Sequence, residues 1–173
     1  VLADLGLPLI VRRKSVFWYQ APQERFSYES QFPAFLVEDS AGLFYGFPSF
    51  DGTGLKVAEH SGGRVVDDPL TVDREIDHDE ERRIQSFLGE YLPGVSRTRT
   101  RHSVCMYTLT PDSHFIVDRH PTCPAVVLCA GLSGHGFKFT SVLGEALADL
   151  ALEGHTSLPI GFLGLDRAAL RTR

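Results

Sequence analysis

Lysine is scarce in this chain, with three at positions 14, 56 and 138 against fourteen arginines. A lysine that persists among so many arginines marks a place where a compact, titratable ammonium is of use, the plain alternative being compositional drift in an arginine-favouring source. Two of the three sit among glycines. Lys56 follows Gly54-Leu55, and Lys138 closes the run Gly131-Leu132-Ser133-Gly134-His135-Gly136-Phe137-Lys138-Phe139. Glycines at a helix start let a ligand approach free backbone N–H groups that carry partial positive charge. The chemistry on offer is the seating of an anionic or electron-rich group. Against this stands the ordinary role of a lone lysine, which is to face water.

The other reactive side chains are less telling on their own. Cysteines at 105, 123 and 129 are odd in number and form no CxxC pair, which suits a reducing compartment better than a disulfide framework. Each reads by default as a packed core thiol, Cys105 beside Met106 in an apolar stretch among them. His114, His120 and Cys123 have an H-x5-H-x2-C spacing that fits no common zinc site, so no metal is expected.

The elements that must position these residues follow from periodicity. Residues 125–130, Ala-Val-Val-Leu-Cys-Ala, predict a strand covered on both faces. Beyond the glycines, Phe139, Val142, Leu143, Ala146, Leu147, Leu150 and Ala151 recur at helical spacing. They predict an amphipathic helix that begins at the glycines, carries Lys138 in its first turn and ends near Gly154. Upstream, residues 16–19, 34–37, 43–47 and 55–59 read as strands joined by Pro, Gly, Ser and Asp clusters of hairpin length, a meander in chain order. Residues 79–92 put Ile84, Phe87, Leu88, Tyr91 and Leu92 on one face, start acidic and stop at Pro93-Gly94, which predicts a helix covering the sheet. Residues 104–108 and 115–118 return to strand. The basic stretch 96–101 reads as loose and solvent-facing. Residues 1–8 read as the tail of a helix whose start is missing. The fold class is α+β, built mainly on antiparallel pairing, with no internal repeat.

A chain of 173 residues with 43% hydrophobic and 23% charged residues has the composition of an ordinary globular domain. A net charge of −5, a pI near 5.8 and the lack of a basic-aromatic stripe argue against nucleic acid as a partner. The apolar runs are too short to cross a bilayer and no signal-peptide pattern opens the chain, so a cytoplasmic protein with no membrane association is expected.

Several segments recur together: Val16-Phe17-Trp18-Tyr19-Gln20, Gln31-Phe32-Pro33-Ala34-Phe35, Phe44-Tyr45-Gly46-Phe47-Pro48, Gly54-Leu55-Lys56-Val57-Ala58-Glu59-His60, Cys105-Met106-Tyr107, Thr110-Pro111-Asp112-Ser113-His114-Phe115-Ile116-Val117-Asp118, and the glycine run at 131–139. On them the chain resembles, over nearly its whole length, the flavin-dependent N-methyl amino acid oxidases. These are the monomeric sarcosine oxidases and N-methyl-tryptophan oxidases of the D-amino-acid-oxidase-like superfamily. The resemblance implies an FAD domain of Rossmann type and a substrate domain with a large mixed, mainly antiparallel sheet. No GxGxxG is present, and Gly131-x-x-Gly134-x-Gly136 has the wrong order. The resemblance thus implies that the adenine and pyrophosphate site lies upstream and that this chain is a C-terminal half. Residues 1–15 would end an FAD-domain segment and residues 16–103 would form the substrate-binding domain. Residues 104–173 would return to the FAD domain with the flavin-attachment strand, the glycine turn and the last helix.

Residue roles also follow from the resemblance. Cys105 matches the cysteine that forms a thioether to the flavin 8α-methyl carbon, so the FAD would be covalent. Lys56 matches the lysine near flavin N5, where a cation favours the negative charge that develops on oxygen. Lys138 matches the lysine that pairs with the substrate carboxylate. Tyr45, His60 and Tyr107 match residues lining the substrate pocket. Gly134, His135, Gly136 and Phe137 match the helix start beneath the flavin pyrimidine ring, where N–H dipoles favour the anionic reduced form. Taken alone, the histidines would read as structural and the tyrosines as half-buried strand aromatics. The implied reaction is oxidation of a secondary amino acid by oxygen, yielding hydrogen peroxide, with a small N-methyl amino acid and oxygen as reaction partners. The 173 residues alone would be inactive. A non-catalytic substrate-binding fragment and a related dehydrogenase with another electron acceptor remain open alternatives.

Overall fold

The computed structural model describes residues 3–171. The chain divides into two compact units, one of Arg13–Met106 and one of Val1–Arg12 with Tyr107–Arg173. The resemblance set its boundaries after residues 15 and 103; the division falls after 12 and 106.

The first elements in chain order are strand β1 (Ile10–Tyr19), the short helix α1 (Gln23–Phe26), and strands β2 (Phe35–Asp39), β3 (Gly42–Phe47) and β4 (Leu55–Glu59). Helix α2 (His78–Tyr91) and strand β5 (Arg99–Leu109) follow. The five strands form one sheet in the order β2-β3-β4-β1-β5, with β1–β4, β2–β3 and β3–β4 antiparallel. This corrects the expected meander: β2, β3 and β4 follow it, but β1 sits between β4 and β5 rather than at the edge. Phe17 and Tyr19 of β1 are fully buried, which a central strand supplies and an edge does not.

One face of this sheet is covered by α2, as the periodicity of residues 79–92 requires. Phe17, Tyr19, Phe44, Leu55 and Val57 share a core with Ile84, Phe87 and Leu88. Phe87 stacks on Phe44 with ring centroids 4.5 Å apart and planes 14° from parallel. The Asp77 side chain caps α2, accepting from the N–H groups of Asp79 at 2.9 Å and Glu80 at 3.2 Å. The basic stretch is not loose. Arg99 and Arg101 open β5, with Arg99 paired to Glu81 and Arg101 stacked over the Trp18 ring, because neighbouring strand and helix side chains offer both a carboxylate and an aromatic face.

In the other unit, strands β6 (Ile116–Arg119) and β7 (Val127–Ala130) form an antiparallel ribbon beside helix α3 (Thr140–Leu152). Both faces of β7 are covered, as its apolar run predicts. Val127 and Cys129 pack towards Leu143, Ala146 and Leu150 of α3, whereas Leu128 and Ala130 pack with Ile116, Leu170 and Leu9. The helix does not begin at the glycines. A 3-10 turn at Phe137–Phe139 intervenes, so Lys138 lies in that turn and not in the first turn of α3. The tighter turn supplies i→i+3 acceptors to N–H groups that would otherwise have none: Phe139 N–H bonds to the Gly136 carbonyl at 2.9 Å.

The helix tail expected over residues 1–8 is a single 3-10 turn at Ala3–Leu5; Val1 and Leu2 lie outside the described residues. Pro8 disfavours helical backbone at the residue before it. Arg167 locks the loop ahead of β6: its Nε donates to Asp112 Oδ2 at 2.8 Å and another guanidinium nitrogen donates to Oδ1 at 3.1 Å. Hydrogen bonding from Arg167 holds the Asp112 carboxyl far below the usual carboxylate range. Among the described residues no helix is long and apolar enough to cross a membrane.

Candidate active site

Tyr45, Lys56, His60 and Cys105 belong to the Arg13–Met106 unit. Side chains alternate across a strand. β4 therefore sends Leu55 and Val57 into the core beneath α2 and turns Lys56 to the opposite face. Antiparallel register then fixes its neighbours, because Lys56 lies directly opposite Trp18 on β1 and Phe47 on β3. Its Nζ stands 5.5 Å from the Trp18 ring centroid and 5.3 Å from that of Phe47. Tyr45 shares this face two residues before Phe47, and its ring meets the His60 ring edge-on at 6.3 Å.

β5 adds to the same face. The Arg101 guanidinium lies 4.8 Å from the Trp18 ring centroid, which puts Cys105, four residues on, on that side as well. His102, of opposite parity, packs on Phe17 in the helix-covered core. The chemistry of this unit thus gathers on the sheet face opposite α2.

Cys105 is exposed, and not the packed core thiol that its neighbours in sequence suggested. Its Sγ lies 3.5 Å from the Lys14 carbonyl oxygen. Burial of the sulfur pushes its thiol up, and the charges of Lys56 and Lys14 pull it down without offsetting that effect. Cys123 is also exposed, on the loop between β6 and β7, while Cys129 is partly buried in the core beside α3. Lys14, given no role by the sequence, is buried, with its Nζ donating to the Ser61 carbonyl at 2.6 Å and the Gly62 carbonyl at 3.2 Å.

Tyr107, Gly134, His135, Gly136, Phe137 and Lys138 belong to the second unit. Gly134 has φ +79°, and a Cβ there would come within 2.4 Å of the Tyr107 ring. Glycine is needed for the backbone and for the tyrosine alike. Ser133 pins the turn, its N–H donating to the Thr108 carbonyl at 2.9 Å and its Oγ to the Gly131 carbonyl at 3.0 Å. A Cβ on Gly136 would strike the Leu132 side chain at 2.7 Å.

The His135 ring packs on Phe115 at 4.9 Å, with its Nε2 3.1 Å from the Ser113 carbonyl oxygen. It also lines an apolar cavity of about 430 Å³ shared with Phe139, Leu143 and Phe162. Phe137 and Lys138 are exposed, and the Lys138 Nζ rests 5.6 Å from the Phe139 ring centroid. Phe137 and Lys138 open the 3-10 turn, so their N–H groups have no acceptor within it. The turn brings Tyr107 and Gly134 into contact; Lys138 extends away from its frame. Among the described residues no group of three or more His, Cys, Asp or Glu side chains could hold a metal ion.

Sequence reasoning passed over Trp18, Phe47 and Arg101 as functional residues. Trp18 is the single tryptophan of the chain, a signal in itself. Its place opposite Lys56 depends on the β1–β4 pairing, which no local pattern reveals.

Comparison with known proteins places these features in context. Residues 1–150 match the family described as FAD dependent oxidoreductase. The chain is 44% identical over 170 residues to a monomeric sarcosine oxidase of Bacillus sp. (strain NS-129), covering 97% of this chain and 44% of that protein. It is 37% identical over 163 residues to an N-methyl-L-tryptophan oxidase of Yersinia pseudotuberculosis serotype O:3 (strain YPIII), covering 93% of this chain and 43% of that protein. The chain thus spans less than half the length of these curated relatives. Among solved structures, it superposes on NikD, an unusual amino acid oxidase essential for nikkomycin biosynthesis, with a TM-score of 0.75 at 23% identity over 95% of this chain and 44% of that one. Fructosamine oxidase from Aspergillus fumigatus (Amadoriase II) superposes with a TM-score of 0.74 at 18% identity, over 98% of this chain and 41% of that one. At these identities the likeness is one of fold.

Proposed function

Because the chain belongs to the FAD-dependent oxidoreductase family, we propose that it is part of an enzyme that oxidises the C–N bond of an N-methyl amino acid, of the sarcosine or N-methyl-tryptophan kind, and passes the electrons to oxygen. A further segment supplies the dinucleotide site that these 173 residues lack, and without it they bind FAD weakly and turn nothing over. The enzyme works in the cytoplasm. When bound, FAD supplies hydride acceptance from the carbon next to nitrogen and electron delivery to oxygen, with hydrogen peroxide as product.

The residues present suit such a cofactor. Cys105 stands on an exposed stretch of strand and offers its sulfur for a thioether to the flavin 8α-methyl carbon. The N–H groups of Phe137 and Lys138, for which the 3-10 turn supplies no acceptor of its own, and the Gly134-His135-Gly136 turn suit the electron-rich pyrimidine end of the ring. Lys56 stabilises negative charge as it develops on oxygen. Lys138 holds the substrate carboxylate and so orients the carbon that gives up hydride, while Tyr45, His60 and Tyr107 line the substrate pocket.

One observation supports this reading above the rest: the sulfur that would anchor the flavin and the ammonium that would act beside it share one sheet face, the one opposite α2. The test is direct. In protein that includes the dinucleotide segment, denatured wild type should keep its yellow flavin and Cys105→Ser should release it. Sarcosine or N-methyl-tryptophan should drive oxygen consumption and peroxide release. Flavin freed from the wild type refutes the attachment, and absence of turnover with any secondary amino acid refutes the reaction.

A further inference from the structure

The rung Phe47–Lys56–Trp18 runs across three strands and has its cation in the middle. Two antiparallel registers place the aromatic residues directly opposite the lysine, one on each side, and alternation puts all three on the face away from α2. The ammonium lies within cation–π range of both rings, at 5.5 Å and 5.3 Å. Trp18 meets a second cation, since Arg101 stacks over it at 4.8 Å. A lysine stem has four rotatable bonds and ordinarily spreads its charge over a wide arc. Two aromatic walls narrow that arc, and a planar guanidinium on the tryptophan limits how far that ring itself can turn.

We propose that Trp18 is a positioning residue for Lys56, forming with Phe47 an aromatic clamp, braced by Arg101, that fixes the ammonium at one place over the sheet face opposite α2. The proposal rests on the reading of Lys56 as the cation that favours charge on oxygen. Charge stabilisation of that kind depends on a group already in place when the charge appears, so the clamp acts on the oxygen half-reaction and leaves substrate oxidation alone.

The test uses Trp18→Leu and Trp18→Phe. In the NMR spectrum of the 173-residue protein, labelled at its three lysines, the Lys56 ε-methylene protons, identified by their loss in Lys56→Met, should show a ring-current shift. That shift should collapse in Trp18→Leu and partly persist in Trp18→Phe. In the FAD-loaded enzyme, Trp18→Leu should slow reoxidation by oxygen roughly two- to fivefold. Anaerobic reduction by substrate should stay within a factor of about two, and Trp18→Phe should restore most of the rate. If Trp18→Leu does not fold, Phe47→Leu reads the other wall by the same two measurements.

An unchanged Lys56 resonance, or an equal slowing of both half-reactions, overturns the clamp. If Lys56→Met itself leaves reoxidation untouched, the oxygen role of Lys56 falls, and the ring-current shift still decides whether the lysine is clamped.

Discussion

Lys56 and Lys138 carry the same charge and are held in opposite ways. Lys56 rises from the middle of a sheet between two aromatic rings that strand register sets in place. Lys138 rises from a 3-10 turn, exposed, with the neighbouring Phe139 ring as its contact. A fixed ammonium suits a charge that appears always at the same point, whereas one that can swing suits a ligand that arrives and leaves. The contrast teaches that a turn can be rigid while the side chain it presents is not. Ser133 and Tyr107 hold the frame of the glycine run, and Lys138 reaches out from it.

The sharpest way to break this comparison is to disturb the frame. Gly134→Ala puts a Cβ both at a φ of +79° and into the Tyr107 ring, and should destabilise the protein by about 2–4 kcal/mol. Chemical denaturation measures this, and a loss below about 1 kcal/mol means that Tyr107 swings aside and the turn is not rigid. Next in size is the lysine itself. In the enzyme that includes the dinucleotide segment, Lys138→Met should raise the dissociation constant of a small carboxylate inhibitor roughly ten- to a hundredfold, about 1.5–3 kcal/mol, while amines lacking a carboxylate bind as before. Stability should change by less than about 0.5 kcal/mol, because Lys138 is exposed and its described contact is the neighbouring Phe139 ring. Equal inhibitor affinity for wild type and variant makes Lys138 a solvated surface residue and removes the functional half of the contrast.

The smallest expected effect concerns the lock beside the turn. The Asp112 carboxyl titrates below its ordinary value of 3.8 in the folded protein. The unfolded chain therefore takes up a proton first as the solution is acidified. The Arg167–Asp112 contribution is complete above 3.8 and is lost as pH falls through the folded value. Asp112→Asn should cost about 1–2 kcal/mol at neutral pH. The gap between variant and wild type should narrow between about pH 5 and pH 2. A gap that stays constant with pH means the pair contributes shape rather than charge. The corresponding lock in the sheet unit, Arg83 on Glu59 with both contacts at 2.8 Å, sits three residues along β4 from Lys56 and offers a control in the other half of the comparison.

Local patterns carried much of the architecture. The unbroken apolar run at residues 125–130 foretold that β7 would be covered on both sides. The spacing of Ile84, Phe87 and Leu88 foretold the helix over the sheet. The strand at residues 55–59 was legible in full because glycine and serine clusters bound it at both ends. What could not be read was partnership at a distance. Nothing near Trp18 says that β4, almost forty residues away, will lie beside it, so the aromatic neighbours of Lys56 and the central place of β1 both escaped. The 3-10 turn escaped for a different reason: periodicity marks where apolar residues recur, not whether the first turn closes with i→i+3 or i→i+4 bonds. Arg101 looked like surface charge because the ring it covers comes from another strand.

Trp18 is the one indole in the sequence, and it stands between two cations on the face proposed to receive the flavin. Within these 173 residues its ultraviolet emission therefore reports on a single address. Isoalloxazine absorbs where indole emits, so a flavin settling on this face would drain the excited state of that one ring. The arrival of the cofactor would be written as the dimming of one residue.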